Sequence, residues 1–138
     1  MKNLTNIFIA VLITPFTYSQ RISEKNIPTT VKNAFQKQYS DIKPKWDKEE
    51  GNYQASFSLN NKDCSALYDE QGNQLETEVE IEINQLPKEV SSYLKEHHAG
   101  QKIKEVAKII DSKGIATFEV EIRGKDLIFD SHGDFLKN

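Results

Sequence analysis

The sequence predicts an α+β fold: two tandem helix-plus-antiparallel-meander units forming one sheet, with the helices on one face. Three observations predict it. The stretch from Ile27 to Leu75 and the stretch from Leu86 to Leu136 follow one pattern. Within each, the apolar period changes from three-and-four spacing to strict alternation. Each then closes on an aromatic-Asp-x-x-Gly segment, Tyr68-Asp69-Glu70-Gln71-Gly72 and Phe129-Asp130-Ser131-His132-Gly133. A duplication of this size specifies architecture, because each unit must bury its apolar face against a neighbour.

Each unit opens with a helix. Ile27-Pro28 and Leu86-Pro87 place proline in a first turn, where its missing N–H is no loss. Ile27, Val31, Ala34, Phe35 and Tyr39 then lie on one helical face, and Lys32, Asn33, Gln36 and Lys37 on the other. The second unit repeats this with Leu86, Val90, Tyr93, Leu94 and His98, and Pro28, Val31, Phe35 and Tyr39 precede their counterparts by 59 residues.

Strands follow. Tyr53, Ala55, Phe57 and Leu59 alternate with Gln54, Ser56 and Ser58, and Ala116, Phe118, Val120 and Ile122 alternate with Thr117, Glu119 and Glu121. Such alternation means one buried face and one wet face. Turns at Asn60-Asn61-Lys62-Asp63 and Arg123-Gly124-Lys125 lead to strands Cys64 to Asp69 and Lys125 to Asp130. Upstream, Ile103 to Asp111 reads as a strand, with Lys45 to Lys48 as its shorter counterpart and Trp46 as a core residue. Asp69 and Asp130 can accept hydrogen bonds from N–H groups two residues on, while Gly72 and Gly133 reverse the chain at positive φ. Phe135 and Leu136 resume beyond the second turn, as a hairpin needs.

Between the units, Glu76-Thr77-Glu78-Val79-Glu80-Ile81-Glu82-Ile83 gives the strongest strand signal in the chain. Thr77, Val79, Ile81 and Ile83 should face one way and the four glutamates the other, about 7 Å apart. This segment is expected to join the units into one sheet.

The amino terminus reads as an address. Lys2 precedes the apolar run Ile7 to Ile13, Thr14-Pro15 breaks that run, and Thr17-Tyr18-Ser19 offers small residues for cleavage between Ser19 and Gln20. The run is too short for a membrane span, which needs about 20 apolar residues. The expected organisation is therefore a signal peptide over 1–19, unit one with the joining strand over 20–83, and unit two over 84–138, in the periplasm or secreted. The net charge of −3 becomes −4 once Lys2 is lost, and no basic cluster exists. Nucleic-acid binding, which needs phosphate-neutralising cations, is excluded on that ground. Membrane insertion after cleavage is not expected. One cysteine, Cys64, cannot make an internal disulfide and falls in a strand, where it should be a small buried hydrophobe.

Leu86-Pro87-x-x-Val90, Phe118-Glu119-Val120-Glu121-Ile122 and Leu127-x-Phe129-Asp130-x-x-Gly133 together resemble the PepSY-like, beta-lactamase-inhibitor-like family of secreted bacterial proteins. Unit one matches through Ile27-Pro28-x-x-Val31, Tyr53-x-Ala55-x-Phe57 and Leu67-Tyr68-Asp69-x-x-Gly72. The resemblance implies tandem α+β units with helices on one face of an antiparallel sheet, the other face open, and an exported address. Cys64 alone cannot reproduce the disulfide-stapled fold of the inhibitor that lends its name, and that inhibitor's enzyme-binding loop residues find no match in the short turns here, so no inhibitory residue carries over.

The sequence carries no chemistry for catalysis. Gly-x-Ser-x-Gly and phosphate-cradling glycine loops are missing, and no carboxylate stands in an apolar context that would raise its pKa for acid work. His97 and His98 are adjacent, so on a helix they point about 100° apart, and His132 lies in a turn; a zinc site needs three or four convergent ligands. No catalytic, cofactor-binding or metal-binding residue is expected. The expected function is a non-catalytic binding module docking an envelope or secreted protein or peptide. Its candidate face comprises Gln54, Ser56, Ser58, Thr117, Glu119 and Glu121, with Glu76, Glu78, Glu80 and Glu82 of the joining strand. The alternative is small-ligand or cation binding through Glu76 to Glu82.

Overall fold

The computed structural model describes residues 19–138. The leader expected over 1–19 therefore lies, but for Ser19, outside the described residues. The elements are β1 (Gln20–Ile22), α1 (Thr29–Gln38), β2 (Lys45–Glu49), β3 (Asn52–Leu59), β4 (Lys62–Tyr68), β5 (Gln74–Glu80), α2 (Lys88–His97), β6 (Ile103–Asp111), β7 (Ala116–Ile122), β8 (Lys125–Phe129) and β9 (Phe135–Lys137). Short 3₁₀ turns at Glu24–Asn26 and Ile83–Gln85 precede the two helices. All nine strands form one sheet in chain order, and every neighbouring pair is antiparallel. The fold is α+β with one sheet.

Register decides which side each residue takes, because directly paired residues share a face. Ala55 pairs with Ala66, Ala66 with Thr77, Thr77 with Ile110 and Ile110 with Ala116. Alternation along β7 then puts Phe118 and Val120 on the face that carries Ala55 and Ala66. These residues pack under the helices, so both helices cover the same face. Under α1, Val31 and Phe35 meet Trp46, Tyr53, Ala55, Ala66 and Tyr68. Phe35 packs at 5.1 Å from Tyr39, 5.6 Å from Trp46 and 5.2 Å from Phe57, ring centre to ring centre. Under α2, Val90 and Leu94 meet Val106, Phe118, Val120, Leu127 and Phe129. The two clusters flank β5. Between them the same face leaves Val79 and Ile110 37% and 38% exposed. Cys64 is buried, as its strand position predicts, and burial pushes its thiol up.

The Asp-x-x-Gly turns build as the sequence suggests. Asp69 Oδ1 accepts from the Gln71 and Asn73 N–H groups at 3.0 and 2.9 Å, and Asp130 Oδ1 accepts from His132 and Asp134, both at 2.9 Å. Both turns dock on the start of a helix. Thr30 Oγ1 donates to the Glu70 carbonyl at 2.8 Å, and a Cβ on Gly133 would stand 2.7 Å from the Glu89 Cβ. A third copy, Asp111-Ser112-Lys113-Gly114, joins β6 to β7 with Asp111 Oδ1 accepting from Lys113 and Ile115 at 2.8 and 2.9 Å.

Two expectations are corrected. The acidic strand ends at Glu80, so Glu82 does not continue its row. The chain must leave the sheet to reach Pro87, and Glu82 sits at the start of the 3₁₀ turn with its N–H donating to Gln85 Oε1 at 2.9 Å. Ile83 is exposed there instead of facing the core. Leu59, the last of the first unit's alternating apolar residues, runs past the end of α1's cover and is 39% exposed.

Candidate functional site

The face turned away from the helices is defined by the other register rows. Arg21 pairs across with Asp47, Asp47 with Gln54 and Gln54 with Leu67; Ser56 pairs with Ser65 and Ser65 with Glu78. Glu78 then pairs with Ile109, Glu80 with Ala107, Ala107 with Glu119 and Glu119 with Ile128. Glu105, Glu121 and Asp126 form a further row. Gln54, Ser56, Ser58, Thr117, Glu119, Glu121, Glu76, Glu78 and Glu80 thus share one face, and Glu82 does not.

Composition changes across this face. The β3 and β4 rows present mostly amide and hydroxyl groups through Gln54, Ser56, Ser58 and Ser65, with Asp63 their one carboxylate, whereas β5 to β8 present several carboxylates interleaved with Ala107, Ile109 and Ile128. Ala107 is buried, and Ile109, Ile128 and Leu67 are half-buried. Among the described residues no helix covers them; the crowding comes from neighbouring side chains on the same face.

That crowding overturns the expectation that no carboxylate has a raised pKa. Burial, reinforced by the charges of Glu105, Glu76, Asp126 and Glu49, pushes the Glu78 carboxyl up to about 7. Burial and the charges of Glu78, Asp126, Glu105 and Glu76 push Glu119 up to about 8. Glu76, Glu105 and Asp126 are also raised, each chiefly by burial. Withdrawing an anion from water and placing like charges beside it both favour the protonated form. At the margins, Arg21 Nε holds Asp47 Oδ1 at 3.0 Å and Lys104 Nζ holds Glu121 Oε1 at 2.9 Å.

The histidines lie elsewhere. His97 is exposed and its ring sits 4.3 Å from Tyr93, half-buried His98 ends α2 with Nδ1 3.1 Å from Gln101 Oε1, and His132 is in the turn after β8. Among the described residues, no group of three or more His, Cys, Asp or Glu is arranged to hold a metal ion. No helix among them is long and apolar enough to cross a membrane.

Sequence reasoning missed the part of the face supplied by β6 and β8. The signal was present in Glu105-x-Ala107-x-Ile109-x-Asp111 and in Asp126-x-Ile128, which alternate like the strands beside them.

A one-sheet α+β domain with helices on a single face is the class that this geometry defines. The chain belongs to the PepSY-like family, described as "Putative beta-lactamase-inhibitor-like, PepSY-like", whose model matches residues 17–73 and 51–137. Solved structures share the fold. A DUF2874 family protein from Bacteroides uniformis is 19% identical with a TM-score of 0.71, over 80% of this chain and 86% of that one. One of the "putative periplasmic proteins" from Bacteroides eggerthii is 16% identical with a TM-score of 0.69, over 80% and 86%. A BLIP-like protein from Bacteroides fragilis is 25% identical with a TM-score of 0.62, over 79% and 83%. No functionally curated protein matches the chain.

Proposed function

We propose that the protein is an exported, non-catalytic binding module that docks a protein or peptide on the sheet face opposite its helices. One observation carries this reading: among the described residues, nine strands are covered by helices on one face only, and the other face holds partly buried polar groups with no described element covering them. A face that only met water would not need crowded carboxylates. The two successive runs of 3₁₀ turn, helix and three strands are read as tandem copies of one unit, joined through β5. The apolar leader and the periplasmic description of the B. eggerthii relative support an exported address.

A carrier of small ligands or cations built on Glu76 to Glu82 has less to stand on. Glu82 has left the strand, and its backbone N–H is engaged by Gln85.

Capture from an envelope extract tests the docking reading by steric block. Ser56→Phe and Thr117→Phe add bulk to the open face without charge, while Asn33→Phe adds it to the exposed side of α1. A partner held by the parent and by Asn33→Phe, but lost from the open-face variants, is the expected result. A partner retained by all three variants would overturn the reading.

A further inference from the structure

We propose that the open face takes a lysine- or arginine-rich segment of a polypeptide, and that docking expels protons from the face. This rests on the face-docking reading and narrows it to one chemistry of partner.

The layout of charge is the first argument. Glu76, Glu78 and Glu80 repeat along β5 at about 7 Å, and alternate side chains of an extended peptide repeat at the same interval. Glu105, Glu119 and Asp126 continue the negative field over the next three strands. A single cation needs ligands converging on a point, whereas this field is a sheet of separate anions. The apolar residues give the second argument. Ile109 lies directly across from Glu78, and Ala107 and Ile128 lie on either side of Glu119. Lysine and arginine carry aliphatic stems that cover such surface while their heads reach the carboxylates. A hydrated metal ion has no use for it.

Protonation is the third argument. Facing Glu78 are Asp63 of β4, Glu76 and Glu80 of its own strand, and Glu105 and Asp111 of β6, with Asp126 of β8 and Glu49 of β2 also acting on it. Facing Glu119 are Glu105 of β6, Glu121 of its own strand and Asp126 of β8, with Glu78 and Glu76 of β5 also acting on it. The basic groups on this side are marginal: Arg21 and Lys104 are held by Asp47 and Glu121, Lys137 acts on Glu76, and Lys45 lies on β2. With carboxyls at about 7 and about 8, Glu78 and Glu119 hold a substantial share of protons near neutrality. A cation brought alongside favours their ionised forms. The free protein then binds more protons than the complex, so affinity rises with pH between about 5.5 and 8.5.

Titration calorimetry with an octalysine peptide, in low salt and in two buffers of different ionisation enthalpy, tests this. The expected result is affinity at least about tenfold higher at pH 8.5 than at pH 5.5, each fully linked proton allowing up to tenfold per pH unit. Net proton release should appear near pH 7. The double variant Glu78→Gln, Glu119→Gln should bind more weakly at pH 8.5 and lose most of the pH dependence. Because the histidines are unchanged in that variant, it separates their contribution from that of the face. Glu96→Gln, on exposed α2, should leave the binding unchanged. If octalysine binds no better than a neutral Gly/Ser octapeptide, the cationic partner is overturned, and the capture experiment still decides face docking separately. A pH-independent affinity, or a pH dependence that survives in the double variant, overturns the proton linkage. Calcium that raises the melting temperature where octalysine does not bind would identify an ion as the occupant and overturn the proposal.

Discussion

The two faces of this sheet come from the same strands by the same alternation, yet they solve opposite problems. Under the helices, Val31, Phe35, Val90, Val120, Leu127 and Phe129 are almost wholly withdrawn from water, and among the described residues no polar or charged residue is fully buried. On the other face, Glu78 and Glu119 are partly withdrawn from water among like charges. Apolar burial stabilises the fold at roughly 25 cal/mol per Å². Crowded carboxylates oppose it. Thus the helix face accounts for folding, and the open face retains groups that folding alone would replace.

The largest effect should come from the helix face. Phe35→Ala removes a ring packed against Tyr39, Trp46 and Phe57 and is expected to cost about 3–5 kcal/mol in denaturant unfolding. Ser56→Ala, on the open face, should stay within about 0.5 kcal/mol. Comparable losses from the two variants would break the contrast.

Next come the turns that fix the sheet to its helices. A Cβ on Gly72 would stand 2.7 Å from the Thr30 carbonyl oxygen, and one on Gly133 would stand 2.7 Å from the Glu89 Cβ and 3.1 Å from the Pro87 Cβ. Both glycines have positive φ, +85° and +93°. Gly133→Ala therefore combines backbone strain with overpacking, together about 2–4 kcal/mol. Gly114→Ala, in the third turn, meets open space and should cost about 1 kcal/mol from the backbone alone. Equal losses at Gly114 and Gly133 would mean that the turns do not bear on the helix starts.

Much of the helix face was legible because its signals are local. Proline placement, the three-and-four spacing of Val31 and Phe35, and the alternation of Ala116 to Ile122 each depend on a few consecutive residues. So did the Asp-x-x-Gly turns, and Asp111 to Gly114 carried the same signal but lay at the end of a clear strand. β1, only Gln20–Ile22, is too short to show a period. Glu82 continued the alternation of Glu76, Glu78 and Glu80 in sequence, but the route to Pro87 took it off the sheet. The raised carboxyls were illegible for a different reason. Thr77 and Val79, the sequence neighbours of Glu78, point to the other face, while Ser65 and Ile109 beside it arrive from β4 and β6. Charges brought near by register leave no mark in a single strand.

The smallest effect tests the open face most directly. Glu78 and Glu119 are raised above the ordinary carboxyl range in the folded protein. Below about pH 4.5 they are protonated whether the chain is folded or not, and contribute no difference. As pH rises, the unfolded chain ionises first while the folded face lags, so folding loses stability until the pH passes about 8. Asp69 and Asp130 work the other way. Hydrogen bonds from Asn73 to Asp69, and from the Asp134 N–H to Asp130, lower their carboxyls, so their contribution is lost on the acid side. Above pH 5.5 both are ionised in either state, and the raised carboxyls of the open face set the falling slope. Between pH 5.5 and 8.5 the melting temperature should fall by a few degrees, about 1 kcal/mol once solvent screening of half-buried groups is allowed for. Glu119→Gln should recover most of that loss at pH 8.5 and change little at pH 5.5. A melting temperature that holds or rises toward pH 8.5 would mean that water screens this face as fully as any surface. The two faces would then differ in composition but not in the work done to assemble them.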